Sequence, residues 1–188
     1  MLGAPIPPQE QVQEMMHDTP QIVLDKETRD GIGKALGRIP QGLYILTACF
    51  EHRRRGVMVS WVQQASFDPP MVLVALRKGR DIVPIIHEAH AFALSQVCED
   101  DKLTLRKFTE PRRAGYRRDD DPLAGIETMR RATGAPIIKK SLSFLDCELV
   151  RHIDVDGDHD LYVGLIRDGG NLHDGHVTVR LREDGFKY

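Results

Sequence analysis

Lys78, Gly79, Arg80 and Asp81 gather two cations, a glycine and a carboxylate where an apolar run gives way to a segment of helical composition. Such a turn suits an anion. A helix start offers free N–H groups and partial positive charge. Lys78 and Arg80 add full charges, and Gly79 lets the backbone come close. A solvated basic turn is the other reading of the same residues. Three further patterns resemble chemical motifs and fall short. Gly31, Gly33 and Gly37 form G-x-G-x-x-x-G, with Glu51 downstream, but no βαβ unit surrounds them. Asp154 to His159 (DVDGDH) starts like a calcium loop, yet its sixth and twelfth places hold His159 and Leu165 instead of glycine and glutamate. His87 and His90 stand in H-E-A-H without an evident third ligand, so surface histidines are expected and no metal is assigned. Ser60 is not in a G-x-S-x-G elbow.

The elements that must position these residues are mostly short strands. Residues 25–38 predict a helix capped by Asp25 or Thr28, with Ile32 and Leu36 on one face, ending before Pro40. Gly42–Phe50 and Met71–Leu76 read as apolar strands, with EHRRRG as a turn after the first. Val57–Phe67 reads as one strand, closed by Asp68-Pro69-Pro70. Asp81–Ala89 predicts a short helix with Asp81 at its N-terminus and Pro84 in the first turn. Residues 91–97 predict a strand, and Lys102–Phe108 a helix. Segments 144–153 and 160–166 flank Val155-Asp156-Gly157-Asp158 as the clearest hairpin. Residues 177–182 form a last strand that alternates Val177, Val179 and Leu181 with polar residues. Many strands and few helices indicate a mainly β barrel or sandwich with peripheral α, not a parallel α/β sheet.

Composition bounds the class. The chain has 188 residues, enough for one domain with a short extension, here 1–32 before a domain at 33–188. A hydrophobic fraction of 41% supports a real core, and a net charge of −2 argues against a nucleic-acid partner. The runs Arg53-Arg54-Arg55 and Arg112-Arg113 read as solvated loops. Cys49, Cys98 and Cys147 are unclustered and read as small core hydrophobes in a reducing compartment. No signal peptide opens the sequence and no apolar run is long enough for a membrane span. A cytoplasmic location is expected.

Gly56 to Pro70 (GVMVSWVQQASFDPP) followed by MVLVALRKGR resembles the flavin-reductase-like FMN-binding family. Further pieces, ALGRIPQGLYILT, GAPII with LSFLDCELV, GDHDLYVG and REDGFKY, resemble the flavin-reductase modules of cyanobacterial diflavin flavodiiron proteins. The resemblance covers about residues 33–188. It implies an FMN-binding split β-barrel of Greek-key topology that pairs as a homodimer, with FMN at the seam. It also implies NADH or NADPH as co-substrate and a possible redox partner protein.

On that resemblance, Lys78, Gly79, Arg80 and Asp81 meet the FMN phosphate. Met58, Val59, Ser60, Trp61, Gln63 and Gln64 lie along the ring, whose polar edge takes hydrogen bonds and whose faces take apolar cover. Trp61 also has an ordinary role open to it, packing in the core. Ala65 and Ser66 fall beside the phosphate and ribityl chain, and Ala75 permits close approach. His159 is the candidate polar group near the open face, able to change charge near neutral pH; a histidine bonding its own turn is the alternative. Ser95 stands where many relatives carry Asn, and Arg180-Leu181 where many carry His-His, so recognition of the hydride donor is where this chain departs. The loop 109–125, with Arg112, Arg113 and Tyr116, is a candidate cover for the nicotinamide or for a partner. Three activities follow as expectations: an NAD(P)H:FMN oxidoreductase, a flavoredoxin-like electron carrier, or a non-redox binding module on the same barrel.

Overall fold

The structure is a computed structural model that describes residues 23–109 and 121–187. The N-terminal segment read as an extension lies mostly outside them, as do Arg112, Arg113 and Tyr116. Helix α1 (Lys26–Gly37) starts where expected, because the Asp25 carboxylate accepts from Thr28 N at 2.9 Å. The strands are β1 (Gln41–Gly42), β2 (Tyr44–Phe50), β3 (Arg53–Val59), β4 (Val62–Ser66) and β5 (Met71–Arg77). Helix α2 (Val83–Ala89) and β6 (Ala91–Gln96) follow, then helix α3 (Lys102–Thr109). After α3 come β7 (Thr128–Met129), β8 (Ile137–Ile138), β9 (Ser143–Asp154), β10 (His159–Asn171) and β11 (Val179–Arg180).

Seven strands form one antiparallel sheet in the order β3-β2-β6-β9-β10-β5-β4. The long hairpin β9–β10 sits between β6 and β5, which is a Greek-key arrangement. Strands β3 and β4 are consecutive in the chain yet occupy opposite ends of the order, so Ser60 and Trp61 carry the chain from one sheet edge to the other. That corner is fastened by Ala75 N donating to Trp61 O at 3.0 Å. Alternate residues point inward: Val72, Val74 and Leu76 of β5 and Tyr162 of β10 join Leu46, Val59, Phe92 and Leu94 in the barrel core. Gly164 belongs to the same inward row, because any Cβ there would stand 2.5 Å from the Phe92 ring. A second apolar layer lies outside the barrel, where Ile45, Val97 and Ile138 pack with Met58, Leu105, Phe108 and Ile126.

Several expectations are corrected. The single strand over 57–67 is two strands, because the barrel needs a corner at Ser60–Trp61. The charged turn shrinks to Glu51-His52, and Arg53–Arg55 lie in β3 paired to Phe50, Cys49 and Ala48. These arginines are tied down rather than loose: Arg53 pairs with Glu88, Arg54 with Asp121 at 2.6 Å and Arg55 with Asp81 at 3.8 Å. Ile32 and Leu36 are more than a third exposed, and α1 packs through Gly33 and Gly37 instead. Gly185 N donates to Gly33 O at 2.7 Å and Arg182 N to Gly37 O at 2.9 Å. The glycine pattern therefore holds the C-terminal tail, since a Cβ at Gly37 would collide with the Arg182 carbonyl. The last strand contracts to Val179–Arg180, beside an isolated bridge from Val177 to Cys98. Of the cysteines only Cys147 is fully buried, with its thiol pushed up by that burial and by Asp146; Cys49 and Cys98 are half-buried.

Candidate functional site

The outward row of β5 is Met71, Leu73, Ala75 and Arg77. Opposite it on β10 stand Leu165, Val163, Leu161 and His159. On the other side β4 pairs Gln63 with Leu73 and leaves its own outer edge unpaired in the sheet. Gln63, Gln64 and Ala65 are exposed there, with Ser66 half-buried. The result is a strip of small and branched apolar side chains, bordered by amides along one edge and closed at one end by Trp61 and His159. It suits a flat ring with a polar rim.

Trp61 is held by a polar cluster. In the amide orientation that satisfies its neighbours, Gln41 donates to Ser60 Oγ at 2.9 Å. Its oxygen accepts from Trp61 Nε1 at 3.1 Å and from Arg182 Nη2 at 2.8 Å. Gln41 is 7% exposed. The Arg182 guanidinium lies over the Trp61 ring, 5.6 Å from its centroid, and also donates to Lys187 O at 3.0 Å. Its Nε is buried with no partner among the described residues. The His159 ring meets the Trp61 ring at 4.5 Å between centroids, and His159 Nδ1 lies 2.7 Å from Asp158 Oδ1. That contact holds the Asp158 carboxyl below its usual range. His159 was expected either near an open face or bonding its own turn; its side chain is 9% exposed, covered by Trp61 and joined to that turn through Asp158.

The basic turn is partly as expected. Gly79 adopts φ +76, a conformation only glycine takes without strain. Asp81 does not cap α2; Ile82 holds that place without a side-chain bond, and Asp81 pairs with Arg55. Pro84 does sit in the first turn. Lys78 Nζ is 2.6 Å from Asp154 Oδ1 and 3.5 Å from Asp160 Oδ1, and this contact raises the ammonium's pKa while lowering that of Asp154. Any phosphoryl group there must share Lys78 with two carboxylates. Arg77 and Arg80 are exposed and form no ion pair among the described residues. Arg77 was missed in the sequence, although the alternation of MVLVALR already put it in the row of Leu73 and Ala75.

Three assigned residues lie elsewhere. Ser95 is fully buried on β6, and its Oγ accepts from Ile138 N at 3.0 Å. Met58 packs outward into the layer around Ile138, and Val59 points into the barrel core. His87 and His90 do not form a shared site. His87 instead meets His152 edge-on at 4.9 Å, and His152 stacks on Tyr162 at 4.8 Å. Burial, then electrostatic interaction with the neighbouring His152 and His90, keeps the His87 imidazole below its usual pKa. Burial and Asp160 push the Tyr162 hydroxyl up to about 12.

An antiparallel Greek-key barrel with this strip on its outer face places the chain among the split barrels of flavin reductases. Solved structures with the same fold include nitrilotriacetate monooxygenase component B from Mycobacterium thermoresistibile, at TM-score 0.72 and 23% identity over 84% of each chain. Another is the NADH:FAD oxidoreductase SgcE6 of Streptomyces globisporus C-1027, at TM-score 0.71 and 20% identity over 86% of this chain and 94% of that one. The flavin reductase like domain model matches residues 36–180, and the chain belongs to that family. Among curated relatives, the Synechocystis protein named diflavin flavoprotein A 1 is 32% identical over 164 residues, which is 87% of this chain and 28% of the relative. The chain spans roughly a quarter of the length of the curated relatives it matches. Among the described residues no helix is long and apolar enough to cross a membrane.

Proposed function

We propose that this chain is an NAD(P)H-dependent flavin reductase that holds FMN along the outer face of β5 and β10. The observation that carries the reading is the apolar strip Leu73–Ala75–Leu161, bordered by the exposed amides of Gln63 and Gln64 and ended by the Trp61–His159 pair. Flavin, when bound, supplies the hydride-accepting chemistry itself. The protein's part is to bind and orient. Ala75 keeps the strip shallow, and the β4 edge offers amides and backbone groups to the ring's polar rim. Trp61, braced by Gln41 and Arg182, walls one end and keeps water from it. Gly79, Arg77, Arg80 and Lys78 receive the phosphate, Lys78 turning from Asp154 to do so. A second copy of the chain covers the apolar side chains left in solvent at Val177, Val179 and Leu181, which are 47%, 55% and 64% exposed. A separate protein then accepts the electrons, since the solved relatives include the flavin reductase component of a two-component tryptophan halogenase.

The test is the visible spectrum of protein reconstituted with FMN, before and after anaerobic NADH or NADPH. Flavin bands that bleach with either nicotinamide support the reading. A yellow protein that bleaches with neither removes the reductase activity, and a colourless protein after reconstitution removes the flavin site. Parallel reconstitution with FAD decides which flavin is preferred.

The covered His159 and the carboxylate-paired Lys78 favour a second reading, a flavoredoxin-like carrier that keeps its FMN and exchanges electrons with a protein. Steady-state turnover of free FMN separates the two: the reductase turns it over and the carrier does not.

A further inference from the structure

A groove of about 750 Å³ opens between α3 and the short hairpin β7–β8. It falls within the range of roughly 300–1,000 Å³ typical of small-molecule sites. None of the residues assigned to the flavin lines it. Its floor is apolar, built from Ile126, Met129, Ile138 and Leu172. Leu103 stands at its lip on α3 and is 77% exposed, an apolar side chain left in water. Its rim is cationic. Among the described residues, Lys107, Lys139 and Lys140 face only two carboxylates, Asp101 and Glu127.

Those carboxylates are already engaged. Lys140 Nζ is 3.3 Å from Asp101 and Lys139 Nζ is 3.8 Å from Glu127. Burial pushes the Asp101 carboxyl up, but bonds from Thr104 and Lys140 outweigh it and hold the group ionised below its usual range. Lys107 donates only to the Ala124 carbonyl and has no carboxylate partner among the described residues. An ammonium with no counter-charge among the described residues, beside an apolar floor, is complementary to an amphipathic anion.

We propose that this groove binds a small organic anion with a hydrophobic body, a carboxylate or sulfonate at Lys107 and an aromatic or branched portion over Met129, Ile138 and Leu172. The site is separate from the flavin strip. Its floor residue Ile138 packs in the same outer layer as Met58 of β3, so occupancy rests against the strand that leads into the Ser60–Trp61 corner.

The test is a fluorescence titration of the full chain with anilinonaphthalene sulfonate, with and without saturating FMN. Lys107→Glu and Leu103→Glu alter exposed positions, and Val23→Glu, at a side chain 95% exposed, controls for apolar surface elsewhere. Each variant is first shown to melt as the parent does. Saturable binding of one probe per chain that survives FMN supports the site, provided Lys107→Glu and Leu103→Glu weaken it about tenfold, the scale of one lost charge-assisted contact, and Val23→Glu leaves it unchanged. Displacement of the probe by FMN, loss of binding in Val23→Glu, or full binding in Lys107→Glu overturns it. So does a change of oligomeric state in Lys107→Glu, which assigns the groove to a second copy of the chain.

Discussion

Replacing Gln41 by Leu keeps the volume of a buried side chain and removes every polar atom that ties Trp61 to the rest of the molecule through it. Three bonds go: 2.8 Å to Arg182, 3.1 Å to Trp61 Nε1 and 2.9 Å to Ser60 Oγ. Arg182 keeps its bond to Lys187 O, and Ser60 is half-buried, so the full cost of an unpartnered buried group does not apply three times. At about 1–3 kcal/mol for a group stripped of its partner, a loss of about 2–4 kcal/mol is expected. For a chain of this length that lowers the melting temperature by about 5–15 °C. Trp61 is the only tryptophan, so its emission reports the same event locally. The expected result is a lower melt together with a shifted Trp61 spectrum. Gln41→Glu retains acceptors for Arg182 and Trp61 Nε1 and should recover most of both. A Gln41→Leu protein with parental melting and unchanged emission refutes the idea that Gln41 sets the Trp61 wall.

Two further outcomes follow from the site. Lys78→Met removes one ammonium from the basic turn and should weaken FMN about tenfold or more while leaving riboflavin, which lacks the phosphate, unchanged; equal loss for both ligands, read by flavin fluorescence quenching, places the phosphate elsewhere. Val179→Glu with Leu181→Glu puts two charges on the exposed apolar row of the C-terminal segment. The parent should sediment as a dimer and the double variant as a folded monomer, whereas a monomeric parent or an unaffected dimer shows that a second copy does not cover this row.

The barrel was legible in composition and alternation because those signals are local. MVLVALR alternates inward and outward, and DVDGDH reads as a turn whatever surrounds it. The turn residues of the β9–β10 hairpin and the cap at Asp25 are equally local, and each appears where its residue types put it. What stayed hidden depends on partners distant in sequence. Arg53-Arg54-Arg55 reads as a loop until Glu88, Asp121 and Asp81 come to meet it. Ile32 and Leu36 read as a buried helix face, yet α1 turns its glycines inward, because a backbone tail and not a side-chain layer packs against it.

The same reasoning explains why the strand proposed to meet the ring was legible and its supports were not. Ser60 and Trp61 are recognisable as types that can line a planar ligand. Gln41 and Arg182 carry no such signal, since a lone glutamine and a tail arginine are ordinary surface residues in any composition. Only the closure of the sheet brings them together: β3 must cross to β4 at a corner, and the C-terminal tail must lie on Gly33 and Gly37 for the guanidinium to reach Trp61. Helix α1 therefore acts on the site without touching it. Its two glycines fix the tail, the tail fixes Arg182, and Arg182 with Gln41 fixes the one aromatic wall of the strip.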